Sequence, residues 1–381
     1  MCCPVLRLDE SFATLLALDA SSGQRLWSTG MGGGGSTSLC ANLYVDASTL
    51  IQIGRGRIDG SDHYSVRFHD PLNGQQLALL KFSNSATARG IEPKKTSNYF
   101  WVNTGTGRVI DASDYSIYGT STIYEGVVSG QDKLYDVNSA NYRTSDKDGT
   151  TTTSSITGVA STDSTSLIES SGYFAIRYRN GGGDLFGVVS DLGVLLSNSS
   201  TKPEPLEAST GKYVAAADFT SFYVIQVWDT DDVASGPLWE YTDAFPFTIN
   251  GAVFGKPSPD GLSMYVIDSN EREIHKVNSS GIVWTHEVAP APAYLVREIK
   301  FDADENLYVT YDASGFKFDP SISSFVSVTE SFAQKIDGSD GSEIWTTKFY
   351  KSEAPFDNGG QAAGISLQDG IAYVYGSAYA N

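Results

Sequence analysis

The chain has 381 residues, with 45 Asp and Glu against 26 Lys and Arg, for a formal charge of −19. Such a surface repels phosphate backbones and excludes nucleic acid as a direct partner. An apolar content of 40 % excludes a disordered chain, while 38 Gly, 21 Tyr and 18 Phe favour strands joined by tight turns.

The start, Met1 to Glu10, reads as an arm outside the folded ring. It lacks the basic and long apolar regions of a secretion signal, and no run of about 18 apolar residues suggests a membrane helix. The expectation is a protein made in the cytoplasm that stays there or leaves by lysis or within a particle. Cys2, Cys3 and Cys40 define no disulfide framework and are expected as free thiols.

The first element is a hairpin over Thr14–Trp27, in which an apolar run leads into Asp19, turns through Gly23 and ends on Trp27. The glycine run 30–35 that follows has no Gly-Lys-Ser/Thr and no helix pattern after it, so it reads as a connection rather than a phosphate loop. Strands at 42–46 and 50–53 come next. The hairpin then recurs with Asp70 and Gly74, each 51 residues after its counterpart, and this preserved spacing is stronger evidence than composition.

A third, diffuse unit has strand material over 99–102, 108–111, 116–118, 123–128 and 133–137, followed by a Thr/Ser/Asp-rich stretch, 144–155, expected as a surface loop. The fourth unit carries Asp191 and Gly193 between apolar runs, and 197–205 is expected as a second surface loop. The fifth ends on Trp239 after an enlarged turn, and the sixth has the turn Ser258-Pro-Asp-Gly261 and then Gly281…Trp284. The seventh has a carboxylate-rich turn at Asp302–Asn306 and then Asp337…Gly341…Trp345.

The chain ends on a lone hairpin, 364–375, whose complement stands at the N-terminus. The pattern therefore predicts one all-β domain over 1–381: a single seven-bladed β-propeller of four-stranded antiparallel blades. Residues 11–28 and 364–381 together build the closing blade, with Thr14–Trp27 as its inner half.

At Ala17-Leu18-Asp19…Gly23…Trp27 and Lys335-Ile336-Asp337…Gly341…Trp345 the chain resembles the repeat of quinoprotein-like (PQQ-repeat or WD40-like) β-propellers. Shorter forms stand at Trp239 and at Gly281…Trp284, while the units with Gly74 and Gly193 lack the Trp. The resemblance implies structural roles. Glycine supplies a positive φ at the turn, and tryptophan packs as a wedge between blades. It implies nothing firm about activity, because propellers host many functions.

Quinone-dependent dehydrogenases of that kind hold a quinone under a vicinal disulfide, with Ca²⁺ and a catalytic Asp. Cys2-Cys3 is the one vicinal pair here, and it lies in the arm. His63, His69, His275 and His286 show no metal-ligand spacing, and His275 and His286 read as surface or edge side chains. There is no Gly-x-Ser-x-Gly elbow. Asp302, Asp304 and Asn306 place oxygens as Ca²⁺ ligands would be placed, with a plain solvated turn as the alternative. Tyrosines at 115, 118, 124, 135 and 142, among Ser, Thr and Asn, fit either an adaptable contact surface or strand packing.

The expected function is a non-catalytic structural or interaction module that meets protein or surface glycan and needs no cofactor. The leaderless, acidic, Gly/Ser/Thr/Tyr-rich character resembles components of phage or virus particles, in tails or surface appendages. The alternatives are a quinone- and Ca²⁺-dependent dehydrogenase or an intracellular assembly scaffold.

Overall fold

The computed structural model describes residues 14–30, 39–58, 61–82, 94–96, 98–103, 106–123, 127–128, 133–138, 140–167, 174–179, 184–190, 193–199, 204–218, 224–232, 235–242, 254–268, 273–288, 293–319, 324–353 and 360–378. The N-terminal arm, Cys2, Cys3, Tyr124 and Asp191 lie outside these residues. No α-helix occurs among the described residues, so none is long and apolar enough to cross a membrane.

The described strands form eight four-stranded antiparallel sheets. Blade 1 is composite, joining 360–378 to 14–30; blades 2 to 8 follow as 39–82, 94–121, 127–155, 161–199, 204–242, 254–287 and 293–353. Within each blade we letter the strands A to D in sheet order. The A strands of neighbouring blades meet, as Gly360–Gln368 meets both Leu39–Val45 and Ala293–Phe301, so A is innermost and D is the outer edge.

Buried apolar side chains knit each blade to the next. Leu15 and Tyr373 of blade 1 pack with Leu43 and Leu50 of blade 2, and Phe68 of blade 2 packs with Phe100 and Ile110 of blade 3. Trp101 meets Leu134, and Val137 meets Ile176, carrying the core from blade 3 to blade 5. The A strands Ser161–Leu167 and Glu204–Thr210 join blades 5 and 6. Val227 packs with Val266, Tyr265 with Val309, and Tyr308 with Val374, which returns the core to blade 1. The blades thus close into a ring, with the described apolar clusters lying between neighbouring sheets.

Three expectations are corrected. The blade count is one higher than the seven expected, because the diffuse third unit is two blades, 94–121 and 127–155. The stretch 144–155 is not a loop: Asn141–Ser145 and Thr151–Ser155 pair as strands C and D of blade 4, with Thr144 opposite Thr152. Threonine's β-branched side chain suits a strand as well as polarity suits a loop, which is why the stretch misreads. The ends of 197–205 likewise belong to strands Leu195–Ser199 and Glu204–Thr210.

The closing blade pairs Leu15 with Tyr375 and Asp19 with Ile371, joining the two ends of the chain. Its halves are reversed from expectation, however. The C-terminal hairpin supplies strands A and B, and Thr14–Asp19 and Arg25–Gly30 are C and the outermost D.

Candidate functional site

The C–D turns and A–B turns share one face of the disc, since antiparallel strands return to the same end. Their local chemistry is repeated. The Asp19 amide bonds the Gln24 carbonyl, the Gly23 amide bonds the Asp19 carbonyl, and the Asp19 carboxylate accepts the Ser21 and Ser22 amides. Asp70, with Gly74, and Asp337, with Gly341, repeat both backbone bonds, and their carboxylates accept the Leu72 and Ser339 amides. Glycine ends these turns because φ there is +68°, +72° and +78°.

Each such turn receives aromatic side chains from strands B and D of the preceding blade. Trp345 and Tyr308 both donate to the Ala20 carbonyl, at 3.1 and 3.0 Å. Trp27 and Tyr373 both donate to the Pro71 carbonyl, each at 3.1 Å. Trp284 and Lys276 donate to the Gly338 carbonyl at 3.2 and 2.8 Å. The acceptor in each case belongs to the residue after the turn aspartate. A β-carbon on Gly23, Gly74 or Gly341 would lie 2.6–2.7 Å from the docking indole, so these glycines are required by contact as well as by φ. Trp239 uses a different acceptor, the Gly261 carbonyl in the A–B turn of blade 7, at 2.8 Å.

Junctions without the docking Trp are packed with other residues. The third blade turns at Asp111, whose carbonyl bonds the Tyr115 amide, and Tyr115 holds φ +60° where its counterparts are glycine. Its ring lies tilted against that of Phe68, with centroids 4.5 Å apart. The position that carries Trp27 in blade 1 is Ala78 in blade 2, and both Ala78 and Tyr115 pack on the same core cluster. A large docking residue over a small turn residue has become a small one under a large one. Gly193 meets Tyr142 of blade 4, where a β-carbon would come within 2.8 Å of the ring. Gly281 is looser, with Tyr241 at 3.7 Å.

Asp302 stands in the A–B turn of blade 8. Its carboxylate accepts the Asp304 and Asn306 amides at 3.0 and 2.9 Å and the Asn306 side-chain nitrogen at 3.0 Å. It also pairs with Lys335 at 3.0 Å and accepts the Tyr308 hydroxyl at 3.3 Å. Burial opposes its ionisation, but Asn306 and Lys335 hold its carboxyl below the usual range. Protein donors thus engage both carboxylate oxygens of Asp302, one of the three Ca²⁺ candidates. Among the described residues no group of three or more His, Cys, Asp or Glu side chains is placed to hold a metal ion. Cys2 and Cys3, the vicinal pair, lie outside the described residues.

The histidines divide. His275 is buried rather than at the surface, bonded to Thr285 at 2.9 Å, while His286 on the outer strand reaches the Gly341 carbonyl of the next blade at 2.7 Å. Of the tyrosines, Tyr115 and Tyr142 pack between strands and Tyr118 is exposed. The side chain of Tyr135 lies outside the description.

What sequence reading missed is a row of exposed apolar residues at the outer edge: Leu26, Leu77, Tyr118, Leu196, Val283 and Ile344 on the D strands, and Leu238 just before one. Each precedes the position that carries the docking Trp in blades 1, 6, 7 and 8. The signal was present as an apolar residue beside each Trp, but alternation alone does not reveal exposure.

No protein-family model matches the chain, and no curated protein matches it. Solved structures do. The dihydro-heme d1 dehydrogenase NirN is 13 % identical with a TM-score of 0.55, over 89 % of this chain and 74 % of that one. The C-terminal WD40 domain of Sif2 is 10 % identical with a TM-score of 0.55, over 79 % and 90 %. Hsv2p of Kluyveromyces lactis aligns at 12 % identity and a TM-score of 0.47, over 83 % and 99 %. At these identities the likeness of NirN and Sif2 shows the fold alone: the chain is a β-propeller.

Proposed function

We propose that this chain is a non-catalytic interaction module, a rigid disc that holds turns and rim side chains in fixed places for a partner. The observation that carries the reading is the closed ring. Indole donors on turn carbonyls lock blade 6 to 7, 7 to 8, 8 to 1 and 1 to 2, and the N- and C-terminal hairpins pair within blade 1. A ring so closed keeps its perimeter in place, and among the described residues that perimeter bears exposed apolar side chains on an acidic protein. The partner is protein or surface glycan, and no cofactor is called for.

The context that fits the acidic, Gly/Ser/Thr/Tyr-rich composition is a phage or virus particle, where the module would sit in a tail or surface appendage after synthesis in the cytoplasm. Purified particles should contain the chain in stoichiometric amount by mass spectrometry. Particles that lack it, from cells that express it, would remove the particle role. Reduction of a dye with alcohols or sugars after loading with pyrroloquinoline quinone and Ca²⁺ would replace the module reading with the enzyme.

A further inference from the structure

The register of the outer strands shows what the exposed apolar row is. In blade 1, Ala17 pairs with Trp27 and Leu18 with Arg25, so Leu26 is an extra, unpaired residue. The same slip leaves out Leu77, Tyr118, Leu196, Val283 and Ile344. Six blades therefore carry a β-bulge at the same place in the edge strand, and the bulged residue is apolar and 38–52 % exposed in every case. Edge strands are usually guarded with charge, and a bulge bends the edge away from strand pairing while re-aiming its own side chain. Here the bulge blocks strand addition but projects an apolar knob.

Beside each knob stands a C–D turn, which carries a carboxylate at Asp19, Asp70, Asp111 and Asp337. Resting on the interaction-module reading, we propose that the bulge side chains form a belt of docking knobs for a basic protein surface that supplies apolar sockets between its Lys and Arg side chains. Charge selects this occupant. A second copy would bring another −19 to the contact, and an anionic lipid surface would meet the same repulsion. The apolar part supplies contact area and the carboxylates supply encounter and orientation.

The test uses the full chain and a 12-residue alternating Leu-Lys peptide as the probe, with an alternating Leu-Glu peptide and an all-Lys peptide of equal length beside it. The variants are L26S/L77S/V283S/I344S and, as the control, L72S/L262S, which removes two apolar residues exposed at 74 % and 61 % in turns. All four bulge positions face solvent, and circular dichroism and the melting midpoint report that the variant still folds. The expected result is binding of the Leu-Lys peptide that weakens with salt, is absent for Leu-Glu and falls at least about tenfold in the bulge variant but not in the control. Equal binding by the bulge variant, an equal loss in the control, or equal affinity for the all-Lys peptide would overturn the proposal. So would wild-type self-association in sedimentation at low salt, which would make a second copy the occupant. These outcomes are independent of whether the chain is found in particles, so the belt can fail while the module reading stands.

Discussion

Trp345 donates its indole N–H to the carbonyl of Ala20 across 3.1 Å, joining residues 325 apart in the chain. This bond lies where blade 8 meets the composite blade, so it closes the ring a second time beside the strand pairing. Tyr308 shares the same acceptor, and its ring meets Trp345 edge-on at 5.9 Å.

Trp345→Ala removes a side chain that is 7 % exposed together with its bond to Ala20. The expected loss is about 3–5 kcal/mol, in the range for a buried aromatic truncated to alanine. Urea unfolding by intrinsic fluorescence measures it. A loss below about 1 kcal/mol would mean the indole is not a lock, since surface substitutions fall in that range.

Removing residues 365–381 deletes strand B of blade 1 and the last four residues of strand A, leaving Thr14–Asp19 without its partner. The truncated chain should lose its single cooperative melt and expose strand edges that aggregate. An unchanged midpoint would show that blade 1 does not seal the ring.

The exchange between Ala78 and Tyr115 can be reversed. Tyr115→Gly relieves a residue at φ +60° but empties the place beside Phe68, and Ala78→Trp alone drives an indole toward Tyr115. Each single variant should be destabilised, and the double should be more stable than the sum of the two by about 0.5–3 kcal/mol. A cycle that closes at zero would separate the two sites.

The turn carboxylates set the acid limit. Asp19 is held at about 2, against an ordinary 3.8, by the Ser21 and Ser22 hydroxyls and the Ser22 amide. Asp111 is held low by Ser113 and Asp337 by Ser339, and Glu305 moves the other way, pushed up by burial and by Asp260. A carboxyl whose folded value is depressed contributes stability above its unfolded value and loses it as pH falls through the folded one. The melting midpoint should therefore fall between pH 3.8 and about 2, while the opposite contribution of Glu305, a gain as pH falls towards the ordinary 4.5, is complete above that window. A midpoint that stays level through that window would contradict the turn bonds.

Asp302 is engaged by Asn306, Lys335 and Tyr308. Adding millimolar Ca²⁺ or EDTA should shift the melting midpoint by less than about 1 °C, because a ligand that binds only the folded state would raise it. A Ca²⁺-dependent rise of several degrees would return Asp302, Asp304 and Asn306 to the role of metal ligands.

The all-β class, the four-stranded unit, the turns at Asp19, Asp70 and Asp337, and the joining of the N- and C-terminal hairpins are legible in the order of the amino acids alone. These depend on local chemistry: a carboxylate that bonds amides two residues on, a glycine at positive φ, and alternation that marks a strand. Tertiary structure decided the eighth blade, because Tyr115 replaces the expected glycine only in company with Ala78 of another blade, and such compensation leaves no local trace. It also decided which half of blade 1 is inner, since that follows from the meeting of A strands far apart in the chain. The bulged apolar belt was likewise invisible, because register exists only between paired strands, and a leucine in a bulge is spelled the same as a leucine in a core.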